Sequence, residues 1–149
     1  MKEIYEYYAK CNKAMNAEML GLIHSHIENP YEHELKGYFF KSLGLLLEHV
    51  YVSDMNWMKA FIEINDHGMR IEEVGIMPEA GRQLFFVYDD YATQREKLDL
   101  FVIRYMSELD ELDLAETVSR MTKKQGKIER IVWKALIHFF NHQTHHRGK

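Results

Sequence analysis

Apolar residues recur at intervals of three and four along most of this 149-residue chain, the period of helices that bury one face. The first such stretch predicts a helix from about Glu3 to Glu28, with Met15, Met19, Leu22 and Ile23 in step. The segment "NPY" at 29–31 closes it, because Pro30 disfavours helical geometry at Asn29. A second helix is expected from about Tyr38 to Ile64, where Phe39, Leu43, Leu46, Val50, Trp57 and Phe61 recur. Residues 65–83, with "NDHG", Gly75, Pro78 and Gly81, read as a long connection. A third helix spans about Phe86 to Glu111 and carries Tyr91, Leu98, Phe101, Val102 and Tyr105. The period then changes. "AETVSRMTKKQGKIERIVW" holds two β-capable runs, around Thr117 to Thr122 and Lys127 to Val132, on either side of a polar turn with Gly126. A last helix follows, with Val132, Ala135, Leu136 and Phe139 on one apolar sector. The expected fold is all-α: one domain over 1–149, a four-helix bundle of antiparallel or crossover type with a small hairpin or irregular insertion before the last helix.

Composition changes this picture little. The chain is 28% charged and 46% hydrophobic with a net charge of −4, and no basic excess argues for a nucleic acid or an anionic lipid surface. The basic "KKQGK" reads as a solvated turn. Cys11 is the one cysteine, so no internal disulfide is available, and neither a signal core nor a membrane-length apolar run is visible. A cytoplasmic protein acting on a small molecule is the expectation.

The distinctive chemistry lies in the histidines, of which there are nine, four of them in the closing "HFFNHQTHHRGK". On a wheel at about 100° per residue, His142 and His146 continue the apolar sector of Val132, Ala135, Leu136 and Phe139, whereas His138 and His145 fall toward its edge, His145 further out. Two imidazoles at i and i+4 stand one above the other and can reach one metal ion. His49 shares a face of the second helix with Leu45, Leu46, Val52, Ser53, Asn56 and Trp57, so it also points inward. Burying three imidazoles costs desolvation that a shared ion would offset. His24, His26, His33 and His67 read as surface residues. No H-E-x-x-H, no Glu-x-x-His, no P-loop and no G-x-G-x-x-G occurs.

The helix order, the histidine and tryptophan of "HVYVSDMNW", the hairpin-like insertion and the terminal "NHQTHHRGK" together resemble the DinB-like superfamily of metal-binding four-helix proteins. In outline the resemblance covers the whole chain, and its specific part is the terminal motif, which in the family commonly reads close to N-H-x-x-H-H-R-G-Q. It implies that His49, His142 and His146 hold a divalent ion, the trio the wheel selects. Zinc and nickel both accept imidazole. It further implies an enzyme that joins a low-molecular-weight thiol to an electrophile. The alternatives are a metal-dependent hydrolase and a non-enzymatic metal- or ligand-binding bundle. Lys149 stands where the family has glutamine. Family members usually continue this helix by several turns; were Lys149 the natural end, the last ligand would lie three residues from it, in a fraying turn, and would bind metal more weakly than in the family.

Three imidazoles without a fourth protein donor describe an open site, as in catalytic rather than structural zinc. Ser53 and Asn56 are candidates to orient His49 or meet a bound water, and Arg147 to clamp the helix end or meet an anion; Trp57 and Phe139 read as core or pocket wall. No residue stands out as a catalytic base. Aromatic content of 13%, nine methionines and the pairing habit of the resembled family lead us to expect a homodimer.

Overall fold

The computed structural model describes residues 1–149 and is mostly helical, with a small two-stranded sheet. Four long helices, α1 (Lys2–His26), α2 (Leu43–Ile62), α3 (Tyr88–Glu108) and α5 (Val132–Arg147), are joined by a 3-10 turn (Ile71–Val74), a short α4 (Glu111–Ala115) and the strands β1 (Thr117–Thr122) and β2 (Gly126–Ile131). Helix α1 packs against α3 and α5, and α2 packs against α5 and α3, so the four enclose one cluster of 28 buried apolar residues. No helix is long and apolar enough to cross a membrane.

Local signals explain the boundaries. Helix α2 begins five residues later than the apolar period suggests, because the Ser42 hydroxyl accepts a hydrogen bond from the Leu45 N–H and so caps the first turn. Tyr38 and Phe39 therefore precede the helix, and Phe39 is 91% exposed. Helix α3 stops at Glu108, and Leu109 turns extended. The Asp110 carboxylate then accepts from Leu112 and Asp113 and starts α4, a short helix beyond the end expected for the third one, which stops three residues early. The hairpin pairs Thr117 with Ile131 and Thr122 with Gly126 in antiparallel register. Gly126 sits at a φ of 69°, a conformation glycine adopts without strain. Val118 anchors β1 in the core, and the Arg120 guanidinium lies 4.6 Å above the Trp57 ring, a cation–π contact that seats the hairpin on α2.

The aromatic core matches the sequence reading. Trp57, Phe61, Tyr105 and Phe139 are buried, and Phe61 meets each of the other three at ring-centroid distances of 5.7 to 6.5 Å. On α1, by contrast, Met15 and Leu22 are exposed and only Ile23 of the predicted set is fully buried. The buried face there carries Tyr5, Ala9, Asn12 and Asn16. His67 departs from the surface position expected of it. Its Nε2 lies 2.9 Å from an Asp113 carboxylate oxygen, and its side chain is only 14% exposed.

One glycine fixes the approach to α2. A Cβ on Gly44 would come within 2.5 Å of the Tyr31 ring, so the 31–42 segment lies on the helix only because that side chain is absent. Gly44→Ala should gain up to about 1 kcal/mol of helix propensity but lose about 1–3 kcal/mol to overpacking. The expected outcome is a net fall in the urea midpoint at unchanged m-value, together with higher mobility of the 31–42 segment in hydrogen exchange. An unchanged or raised midpoint would show that Tyr31 moves aside freely.

Candidate metal centre

Helices α2 and α5 cross so that His49 faces His142 and His146. The His142 Nε2 lies 3.3 Å from the Nε2 of His49 and 3.1 Å from that of His146, and one ligand atom from each residue falls within 4.8 Å of the others. No carboxylate or thiol joins this group. The helix-face reading is thus matched in space: the three selected histidines meet, whereas His138 and His145 remain exposed. Neither Ser53 nor Asn56 hydrogen-bonds a histidine; Asn56 instead lines a separate polar cleft between α2 and the hairpin.

The donor set fits a divalent cation. An ion about 2.0–2.1 Å from each nitrogen at tetrahedral angles needs nitrogens about 3.3–3.4 Å apart, and right angles need about 2.9 Å. The two short distances lie between these values. Burial first, and then the neighbouring imidazoles, push the pKa of His142 down to about 3 and that of His146 down to about 4. Burial, followed by the charge of Lys149, also lowers His49. All three are therefore neutral at pH 7, the form that ligates.

The outer support is unusual. The Nδ1 atoms of His142 and His146 are buried without a hydrogen-bond partner, although a ligand histidine ordinarily donates its second N–H to a carboxylate or carbonyl. Ring packing orients them instead. Phe40 lies 4.7 Å from the His49 ring and 6.1 Å from that of His146, and His145 flanks His146 at 5.1 Å.

Behind the histidines runs a buried polar network that the sequence reading missed. The Arg147 guanidinium donates to Asn12 Oδ1 at 2.5 Å and to Asn16 Oδ1 at 2.8 Å. The Asn12 amide then donates to Gln143 Oε1 at 2.5 Å, and the Asn16 amide to both oxygens of Asp99 at 3.0 and 3.1 Å. Arg95 bridges Asp99 and Asp54 at 2.7 Å each. Burial opposes the Arg95 charge, but Asp99 and Asp54 together raise its pKa. For Asp54, burial pushes the carboxyl above its ordinary range and Arg95 offsets this only in part. Arg147 thus clamps the end of α5 onto α1, through neutral amides and not through the acidic partner its charge suggests.

The DinB family model matches residues 2–149, and the chain belongs to the DinB family. No curated protein and no solved structure matches it.

Zinc or nickel added to the metal-free protein should bind at one equivalent, and His49→Ala, His142→Ala and His146→Ala should each abolish retention through gel filtration. His138→Ala and His145→Ala should retain the ion. Because burial and neighbouring imidazoles bring the pKa of His142 down to about 3 and that of His146 to about 4, and burial lowers His49 as well, affinity should persist below the pH at which free histidines protonate and fall in more acidic solution. Elemental analysis across the variants checks the assignment; full occupancy in His142→Ala with loss in His145→Ala would overturn it.

Proposed function

We propose that His49, His142 and His146 hold a divalent ion in a four-helix bundle formed by one domain, and that the protein transfers a low-molecular-weight thiol to an electrophilic acceptor. The observation that carries the reading is the three-imidazole cluster with no fourth protein donor. Such a set leaves a position for an exogenous ligand. A zinc or nickel ion there would supply positive charge that favours the thiolate over the thiol.

The chain's own contributions are binding, orientation and exclusion of water. His142 and His146 stand on successive turns of α5, so their nitrogens are fixed relative to each other by the helix itself. His49 approaches from α2, and Phe40 covers its ring from the side, which limits water at the edge of the cluster. Neutral imidazoles leave the cation's charge uncompensated and available to a thiolate, unlike carboxylate ligands. Hydrolysis by the same open site is the competing chemistry.

Loading the protein with cobalt makes the distinction visible. Cysteine, glutathione and other small biological thiols should be titrated into cobalt-loaded protein and into His146→Ala. One of them should produce an intense sulfur-to-metal absorption band in the wild type alone, and the thiol that binds should support turnover of an electrophilic acceptor. If none perturbs the spectrum at millimolar concentration while cobalt stays bound, the transfer reading fails and ester or amide hydrolysis is assayed in its place.

Pairing of two copies belongs to the same proposal. Ile4, Tyr8 and Ile137 are exposed along a cleft of about 380 Å³ between α1 and α5 that Trp133 and Phe140 also line, an apolar surface suited to a second helix pair. Sedimentation at micromolar concentration should show a dimer, and Tyr8→Glu with Ile137→Glu should return it to monomer; a monomeric wild type would remove the pairing.

A further inference from the structure

The hairpin carries two arginines for which the fold supplies no counter-charge. Arg70, Arg82, Arg95 and Arg104 each pair with a carboxylate, and Arg147 donates to amides. Arg120 and Arg130 do neither. The Arg120 guanidinium lies on the Trp57 ring instead, 4.6 Å from its centroid, and its Nε is buried without a partner.

Both side chains turn to the same side of the hairpin. Val118 stands opposite Arg130, and Arg120 opposite Ile128, while alternate residues of a strand share a face. Val118 is buried and Ile128 packs against the core, so this face looks onto the helices. Arg120 and Arg130 are diagonal neighbours on it, a spacing at which long side chains meet. No acidic residue shares the face: Glu129 lies on the other one, paired with Lys127. Burial first, and then the charge of Arg130, lower the Arg120 pKa, as expected of two like charges with no anion between them. Both residues are only half-buried, and Nε is the one nitrogen of either guanidinium that is closed off. The terminal nitrogens are therefore open to a ligand.

We infer that Arg120 and Arg130 together bind a small oxyanion of two negative charges, as carried by a phosphate monoester or a dicarboxylate. A guanidinium lying flat on an aromatic ring keeps its N–H edges free for oxygen atoms, and Trp57 holds that of Arg120 in this pose. A singly charged ligand would leave one of the two cations unmatched. The place of the pair gives it a use. Trp57 meets the His138 ring at 5.8 Å, and His138 meets His142 at 6.2 Å, so the arginines lie at the hairpin end of the surface that leads to the histidine cluster. Along α2, Trp57 is about 12 Å from His49. That the anion is the charged end of the electrophilic acceptor rests on the thiol-transfer reading; binding of the anion does not.

Trp57 emission reads the site directly, because Arg120 covers its ring, and Trp133→Phe removes the other tryptophan. Metal-free Trp133→Phe protein is titrated with phosphate, succinate and acetate at about pH 8, with sodium chloride holding the ionic strength constant so that general screening does not change. Phosphate or succinate should change the emission saturably at millimolar concentration, and acetate should bind about tenfold or more weakly. Arg130→Gln should weaken the dianion about tenfold or more, although it leaves the Arg120 contact with Trp57 in place. Lys134→Gln, which removes a cation stacked on Trp133, should leave the affinity unchanged. Should Arg130→Gln fail to fold, Arg120→Lys takes its place, keeping the charge but losing the planar fork, with a similar loss expected. Absence of a saturable change with either dianion overturns the inference. So does acetate that binds as tightly, an affinity that Arg130→Gln leaves unchanged, or one that Lys134→Gln lowers as much. Because no metal is present, failure to take up zinc leaves these titrations intact and counts against the metal reading alone.

Discussion

The end of α5 is held in place by one charged side chain working through uncharged ones. Arg147 donates to the oxygens of Asn12 and Asn16, and those amides pass the polarity on to Gln143 and Asp99. Each bond in this chain has only one permitted direction, because a guanidinium cannot accept and a carboxylate cannot donate. The network therefore fixes rotation as well as contact. Were α5 to turn about its axis, Arg147 would lose two acceptors in a buried setting, a cost of about 1–3 kcal/mol for each polar group left unpaired. Asp54, Arg95 and Asp99 anchor the far side. Breaking such a pair by removing one partner costs about 3–5 kcal/mol, so the anchor resists local relaxation.

The histidine cluster needs this constraint because it does not stabilise itself. Three imidazole nitrogens face one another at short range, two Nδ1 atoms are buried without a hydrogen-bond partner, and protonation of His142 or His146 is opposed by burial and by its neighbours. Without a cation the cluster is a net cost to the fold. It persists because packing on both sides supplies what it lacks: Phe40 against His49, and the Arg147 clamp one residue beyond His146. Gly44 contributes indirectly, since the close approach of Tyr31 to α2 brings down the segment that carries Phe40.

How much of this was legible in the sequence depends on the kind of signal involved. The helical period located the four long helices, and turn chemistry located the hairpin almost to the residue. Caps were the weak point: Ser42 and Asp110 each override an apolar pattern that runs past them, and short polar residues do this through backbone N–H groups that a hydropathy pattern does not register. The meeting of His49, His142 and His146 was legible because i, i+4 imidazoles on an apolar sector have few structural reasons to exist. The polar network was not, although a trace of it is present. Asn12 and Asn16 share the buried face of Tyr5 and Ala9, and Arg95 and Asp99 share that of Tyr91, Leu98 and Val102. Arg95 and Asp99 pair within α3, but Asn12 and Asn16 find their partners only across helices, so the individual helix wheels gave no reason to join the two sets. His67 was misread for the same reason, its partner Asp113 lying 46 residues away.

Both arrangements are written into the same two turns of α5. Positions 142 and 146 stack on one face, and positions 143 and 147 stack on a face about 100° further round. The first pair meets α2 through His49; the second meets α1 through Asn12 and Asn16. Neither pair can move without the other, because a rigid helix converts rotation at one face into equal rotation at the next. The clamp that holds the three imidazoles in place is thus also the reason that the Gln143 oxygen is occupied by the Asn12 and Asn16 amides. A substitution at Asn12 or Asn16 would act at both places at once: it would release the rotation that brings His142 and His146 to His49, and it would free the Gln143 amide to flip. The geometry of the histidine cluster and the orientation of the Gln143 amide are two consequences of a single docking interaction.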